Sequence, residues 1–131
     1  MIDIKNKTAF ITGSSRGIGQ QIALGLAEKG CHIIIHGRTK ENCAKTLELL
    51  KPYTIKTYVV YGELSNQNSI NSVIKQVIDL EINVDILYNN AAIMTDYKEE
   101  YWDQDWDDWM ESFKVNVMSV FYMSKTFIPK M

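Results

Sequence analysis

Cysteine is scarce in this sequence. Only Cys31 and Cys43 occur in 131 residues, and they lack C-x-x-C spacing. A disulfide between the two is the alternative, and two unpaired thiols in a reducing cytoplasm are expected. His32 and His36 do not complete a metal set with them, so no metal is expected and both histidines read as strand-end residues. No apolar run approaches the roughly 20 residues needed to cross a bilayer, which excludes a membrane-spanning segment. Met1-Ile2-Asp3-Ile4-Lys5 is too polar for a signal peptide. Excess charge of either sign is also missing. A net charge of −2 and a pI near 5.6 argue against a nucleic-acid or anionic-membrane partner. The pattern G-x-x-x-x-G-K-[ST] is absent, so a P-loop is not supported.

What is present is an alternation of strand-like and helix-like segments. With 46% hydrophobic and 23% charged residues, the chain can build one domain with a real core. Thr8-Ala9-Phe10-Ile11 has the length and type of a buried strand. A helical pattern follows through Ile22, Leu24, Leu26 and Ala27 and stops at Gly30. Ile33-Ile34-Ile35 is a β-branched run suited to a strand buried on both faces. Residues 41–50 read as a helix closed by Pro52, and 57–61 as a third strand. Residues 66–80 read as a helix with Ile70, Val73, Ile74, Val77 and Ile78 on one face. Residues 85–88 are the fourth strand, 95–100 a polar loop, and about 105–127 the last helix. Repeated β-α-β units predict an α/β fold of the doubly wound, Rossmann-like kind, with a parallel sheet in the order 3-2-1-4. The ligand crevice is expected between strands one and four, at their carboxyl ends.

The organising stretch is Thr12-Gly13-Ser14-Ser15-Arg16-Gly17-Ile18-Gly19, set between the first strand and the first helix. Gly13 lets the chain turn off the strand, Gly17 leaves room for a pyrophosphate, and Gly19 allows close helix packing. Unpaired N–H groups at the helix start would then face an anion. Read only as a tight turn, the same glycines need no ligand.

This stretch resembles the T-G-x-x-x-G-x-G cofactor motif of the short-chain dehydrogenase/reductase family, and in particular its 3-oxoacyl-ACP-reductase-like members. The similarity runs from about Lys5 to the last residue and covers the first half of a usual member. The resemblance implies that Gly13, Ser15, Arg16, Gly17, Ile18 and Gly19 bind a nicotinamide dinucleotide. At the end of the second strand, where NAD sites carry an Asp or Glu, this chain has Gly37-Arg38-Thr39. Arg38, with Arg16 nearby, can offer donors to a 2′-phosphate, so NADP(H) is favoured over NAD(H). Glu63 stands where the family usually has the Asp that meets the adenine amino group, and Leu64 would face the adenine plane. Asn89-Asn90-Ala91-Ala92 resembles the family's N-N-A-G motif and implies cofactor contacts from Asn90 and Ala91. Ala92 replaces Gly there, and the motif survives only if φ is negative at that residue. Asn116 matches the family's catalytic asparagine, which bends its helix and holds a water of the proton relay.

The remaining family machinery is missing. No tyrosine has a lysine four residues on, and Tyr53/Lys56 and Tyr122/Lys125 are one residue short. The chain stops at Met131, where the fifth strand with the family's serine would begin. Residues 1–131 are thus expected to be one cofactor-binding domain, incomplete at its C-terminal end, inactive alone and left with an open apolar sheet edge. The full protein is expected to be a cytoplasmic oxidoreductase, homodimeric or homotetrameric, acting on a small carbonyl or alcohol substrate. A non-catalytic dinucleotide-binding module and an inactive truncated gene product are the alternatives. Trp102, Trp106 and Trp109 recur at helical spacing among acids and are expected to pack inward, the other reading being a substrate-side wall or subunit contact.

Overall fold

The computed structural model describes residues 2–96 and 98–131. Its single sheet contains β1 (Thr8–Ile11), β2 (His32–Gly37), β3 (Thr57–Tyr61) and β4 (Ile86–Tyr88). All pairings are parallel and the order is β3-β2-β1-β4, as expected. The helices are α1 (Gly17–Glu28), α2 (Ala44–Leu50), α3 (Gln67–Asp79), α4 (Trp106–Phe113) and α5 (Ser119–Phe127). A 3-10 turn at Glu41–Cys43 leads into α2. A π-helical turn, Lys114–Met118, joins α4 to α5, so the long last helix exists but is not uniform.

Side-chain alternation divides the core into two layers. Ala9, Ile11, Ile33 and Ile35 face α1 and α2, where Ala23, Ala27, Cys43 and Leu50 complete a buried cluster. Phe10, Ile34 and Val60 face the other way, onto Ile70, Val73, Ile74 and Val77 of α3 and Met123 and Phe127 of α5. The period of two along each strand produces this sorting, and covered faces explain why the strands are apolar on both sides. Phe10 and Phe127 meet edge to face, 5.7 Å between centroids, worth roughly 0.5–1.5 kcal/mol beyond burial.

Three local expectations need correction, while α1 forms over the helical pattern that ends at Gly30. Its buried stripe is Gly19, Gln20, Ala23 and Ala27, and Ile22, Leu24 and Leu26 are partly buried against the same core. Small residues face the sheet because the helix lies close to it. Ile78 is exposed, off the buried face of α3. Leu64 is 4% exposed and belongs to the α3-side core, so its side chain is not free to face an adenine. Trp102, Trp106 and Trp109 do not pack inward; they are 65%, 77% and 56% exposed. The acids around them cap the helix instead: Asp105 accepts from the Asp108 amide, and Asp108 accepts from the Asp105 amide.

Cys31 and Cys43 are both buried and unpaired. Burial pushes the Cys43 thiol up to about 11, and burial, with the Asp85 charge second, also raises Cys31. Both behave as small core residues. Among the described residues, no helix is long and apolar enough to cross a membrane.

Candidate dinucleotide site

The turn between β1 and α1 is tethered from behind by side chains of three other segments: β2, α2 and the stretch after β4. The Gly13 N–H donates to His36 Nδ1 at 3.0 Å. The Ser14 carbonyl accepts from Thr46 Oγ1 at 2.9 Å, and Thr46 in turn accepts from Gln20 Nε2 at 2.9 Å. Ser14 Oγ donates to the Ile11 carbonyl and accepts from the His36 N–H. Asn90 Nδ2 donates to the Thr12 and Gly13 carbonyls at 3.1 and 3.2 Å. Thr12 Oγ1 accepts from the Asn90 and Ala91 amides and lies 3.4 Å from the Tyr88 carbonyl. Buried polar groups are expensive unless paired, so this web fixes one conformation of the turn.

The glycines sit where that conformation demands them. Gly13 has φ +68°, and a Cβ there would lie 2.9 Å from Ala91 Cα. Gly17 has φ +57° with open space where a Cβ would point. Gly19 has its Cβ position blocked by the Gly13 carbonyl oxygen and by Asn90 Nδ2 at 2.5 Å. The turn is thus closed behind and open in front.

The open side carries a positive helix end. α1 has no side-chain cap and no acid in its first turn. By contrast, α3 is capped by Asn66 and α4 by Asp105. Free N–H groups, a dipole end and a vacant Cβ position are what a diphosphate needs to approach the backbone. Ile18, 75% exposed, stands beside the opening, and Ser15 and Arg16 precede it. The residues present fit a dinucleotide.

Gly13, Gly19, Asn90 and Ala91 are brought together around the turn. Ala92 is not among the positive-φ residues, which among the described non-glycines are Asn6 and Glu81. The replacement of Gly is therefore accommodated. Arg38 lies just past the end of β2 and is exposed, and Glu63 is exposed just past β3. Among the described residues, neither Arg16 nor Arg38 enters an ion pair.

Asn116 lies inside the π turn. Its Oδ1 accepts from the Ile93 N–H and its Nδ2 donates to the Ile93 carbonyl, both at 2.8 Å. The side chain thus pins the segment after β4 to the last helix. Single π turns occur often at functional sites, since the extra residue reorients the side chains around it.

The sequence reading missed His36, Ser14, Gln20 and Thr46 as supports of the turn. His36 is at the end of β2 as expected, yet it is 2% exposed and bonded on both ring nitrogens. The available signal was a titratable residue closing a continuous apolar strand.

The profile of the short chain dehydrogenase family matches residues 7–131. The chain is 34% identical over 131 residues to a 3-oxoacyl-[acyl-carrier-protein] reductase of Aquifex aeolicus, covering 99% of this chain and 52% of that one. It is 33% identical to an uncharacterized oxidoreductase of Bacillus subtilis, covering 99% and 48%. A crystal structure of a 3-oxoacyl (acyl-carrier-protein) reductase from Agrobacterium tumefaciens with NADP bound superposes with a TM-score of 0.87 at 30% identity, covering 98% and 48%. Other similar structures hold NADPH or NADP, and one holds NAD. The chain spans about half the length of the curated relatives it matches. With its glycine turn, parallel sheet and asparagine-bearing last helix, this chain belongs to the short chain dehydrogenase family.

Proposed function

We propose that the chain is the cofactor-binding half of an NADP-dependent oxidoreductase that moves a hydride between nicotinamide and a small carbonyl or alcohol. The carrying observation is the Gly13–Gly19 turn, tethered behind by His36, Thr46 and Asn90 and uncapped in front. Its amides would hold the diphosphate, Arg38 with Arg16 the 2′-phosphate, and Glu63, Asn90 and Ala91 the adenosine side. A bound nicotinamide would supply or accept the hydride. Asn116 fixes the loop at Ile93 and, by family resemblance, would serve the proton relay. The serine and the Tyr-x-x-x-Lys pair that complete that relay have no counterpart in these 131 residues. The chain alone therefore binds but does not turn over, and the whole protein is a cytoplasmic homodimer or homotetramer.

Calorimetry with NADPH and NADH tests this. NADPH binds tighter, and Arg38→Asp reverses the order, because a charge-assisted contact to phosphate is worth about 10- to 100-fold in affinity. Equal affinities would remove the NADP preference, and no binding of either nucleotide would remove the dinucleotide reading. Measurable NADPH oxidation with any carbonyl substrate would overturn the inactive-half reading. The alternative, a non-catalytic binding module, stands if a reading frame continuing past Met131 encodes no such pair.

A further inference from the structure

The ring of His36 touches two segments that the cofactor would also touch, and this rests on the dinucleotide reading above. Its Nδ1 is 3.0 Å from the Gly13 amide nitrogen, and its Nε2 is 3.0 Å from the Gly62 carbonyl oxygen. An amide N–H can only donate and a carbonyl can only accept. Nδ1 must therefore be the bare nitrogen and Nε2 must carry the proton. We infer that His36, as the Nε2–H tautomer, is a positioning residue for the dinucleotide, spanning from the phosphate turn at Gly13 to the adenine-side segment that begins at Gly62.

Three observations bear on this. The ring is buried and both nitrogens are partnered, so it has no alternative seat. The backbone of the same residue donates to Ser14 Oγ, which ties the strand end to the turn a second time. The two ends of the bridge lie on different strands: Gly13 follows β1, while Gly62 follows β3 and accepts no side-chain substitute without crowding Val73 Cγ2 at 2.8 Å. A fixed ring between them sets the distance between the diphosphate seat and Glu63. Burial holds the imidazole below its ordinary pKa, the bond to the Gly62 carbonyl pulling the other way, so the bare Nδ1 is kept near neutral pH.

The test is NADPH affinity of the whole chain and of three variants, with thermal midpoints measured alongside. An asparagine carbonyl reaches roughly where Nδ1 sits, and a glutamine amide roughly where Nε2 sits. His36→Ala should weaken NADPH binding about tenfold, the value of one hydrogen bond lost from a preorganised site. His36→Asn keeps an acceptor for Gly13 and His36→Gln a donor for Gly62, so each severs one end of the span and should fall between the parent and the alanine variant in NADPH affinity. Nitrogen-15 spectra of the unaltered chain give a readout that a merely structural role would not move and that stands even if the variants fail to fold: an Nε2–H tautomer whose Nδ1 resonance and Gly13 amide shift on NADPH saturation supports the bridge. Parent-like binding in His36→Ala, or in both the Asn and Gln variants, or an Nδ1–H tautomer would overturn it while leaving the dinucleotide reading intact. Failure of the unaltered chain to bind NADPH would instead remove both.

Discussion

The side-chain amide of Asn90 fills the space that a Cβ on Gly19 would need. From there, Nδ2 donates to both the Thr12 and Gly13 carbonyls, 78 and 77 residues away in the chain. The glycine on α1 and the asparagine after β4 are thus two halves of one contact. The glycine is required by a neighbouring side chain and a carbonyl, not by a special backbone angle, since Gly19 is not among the positive-φ glycines.

Gly19→Ala should accordingly be among the most damaging small substitutions in the turn. The added methyl must displace Asn90 or the Gly13 carbonyl, and overpacking of this kind costs roughly 1–3 kcal/mol. Denaturant titration should show a lower midpoint at unchanged slope, together with loss of NADPH binding. Parent-like stability and affinity in this variant would mean that the contact is loose.

Thr12→Val keeps the shape of a buried side chain and removes its oxygen. The Ala91 amide then loses its acceptor, whereas the Asn90 amide keeps the Tyr88 carbonyl at 3.1 Å, and an unsatisfied donor shielded from water costs about 1–3 kcal/mol. Hydrogen exchange at the Ala91 amide should accelerate more than at β2. Unaltered protection would show that water or another acceptor replaces the hydroxyl.

Acid should destabilise the fold through His36. Its folded pKa lies below the ordinary 6.5, chiefly because of burial. The unfolded chain therefore takes up the proton first, and stability falls as pH drops below about 6.5 until the native ring titrates as well. Well above 6.5, where the ring is neutral in both states, this residue contributes no pH dependence. The neighbouring charges Arg38 and Glu63 are exposed and leave the sign unaltered. Unfolding midpoints measured from pH 8 to pH 5 should decline in the parent and flatten in His36→Asn. Parallel declines would assign the effect to other groups.

All three tryptophans stand in solvent, and Phe113, Val117 and Phe121 continue the exposed apolar side chains along the same helix. Dilute protein should show red-shifted tryptophan emission that acrylamide quenches readily. A blue shift that grows with protein concentration would show this face being covered by a second copy. Blue-shifted emission independent of concentration would contradict the exposed placement.

Much of the architecture was legible from local pattern alone. The boundaries of β3, the end of α2 before Pro52 and the long last helix before Pro129 follow from local pattern, because strand and helix propensities act within a few residues. The glycine turn was legible for the same reason: its spacing between a strand and a helix is a local property. Chemistry inside the turn was legible only in outline. Arg38 and Asn116 were singled out by position as candidates, and the attachment of Asn116 to Ile93 needed the fold.

What remained hidden depends on which faces meet. Whether the tryptophans turn inward is decided by the packing of the whole helix, and periodicity cannot say which stripe of a doubly marked helix meets the sheet. Leu64 looked available to a ligand because burial is not written in a single loop residue. His36 looked like a strand end because its two partners are 23 and 26 residues away. Periodicity, charge and spacing settled the order of elements and the place of the turn, since those rest on near neighbours in the chain. The seating of His36, Asn90 and Thr12 around that turn came only with the assembled sheet, because distant segments share hydrogen bonds only after β1 lies between β2 and β4.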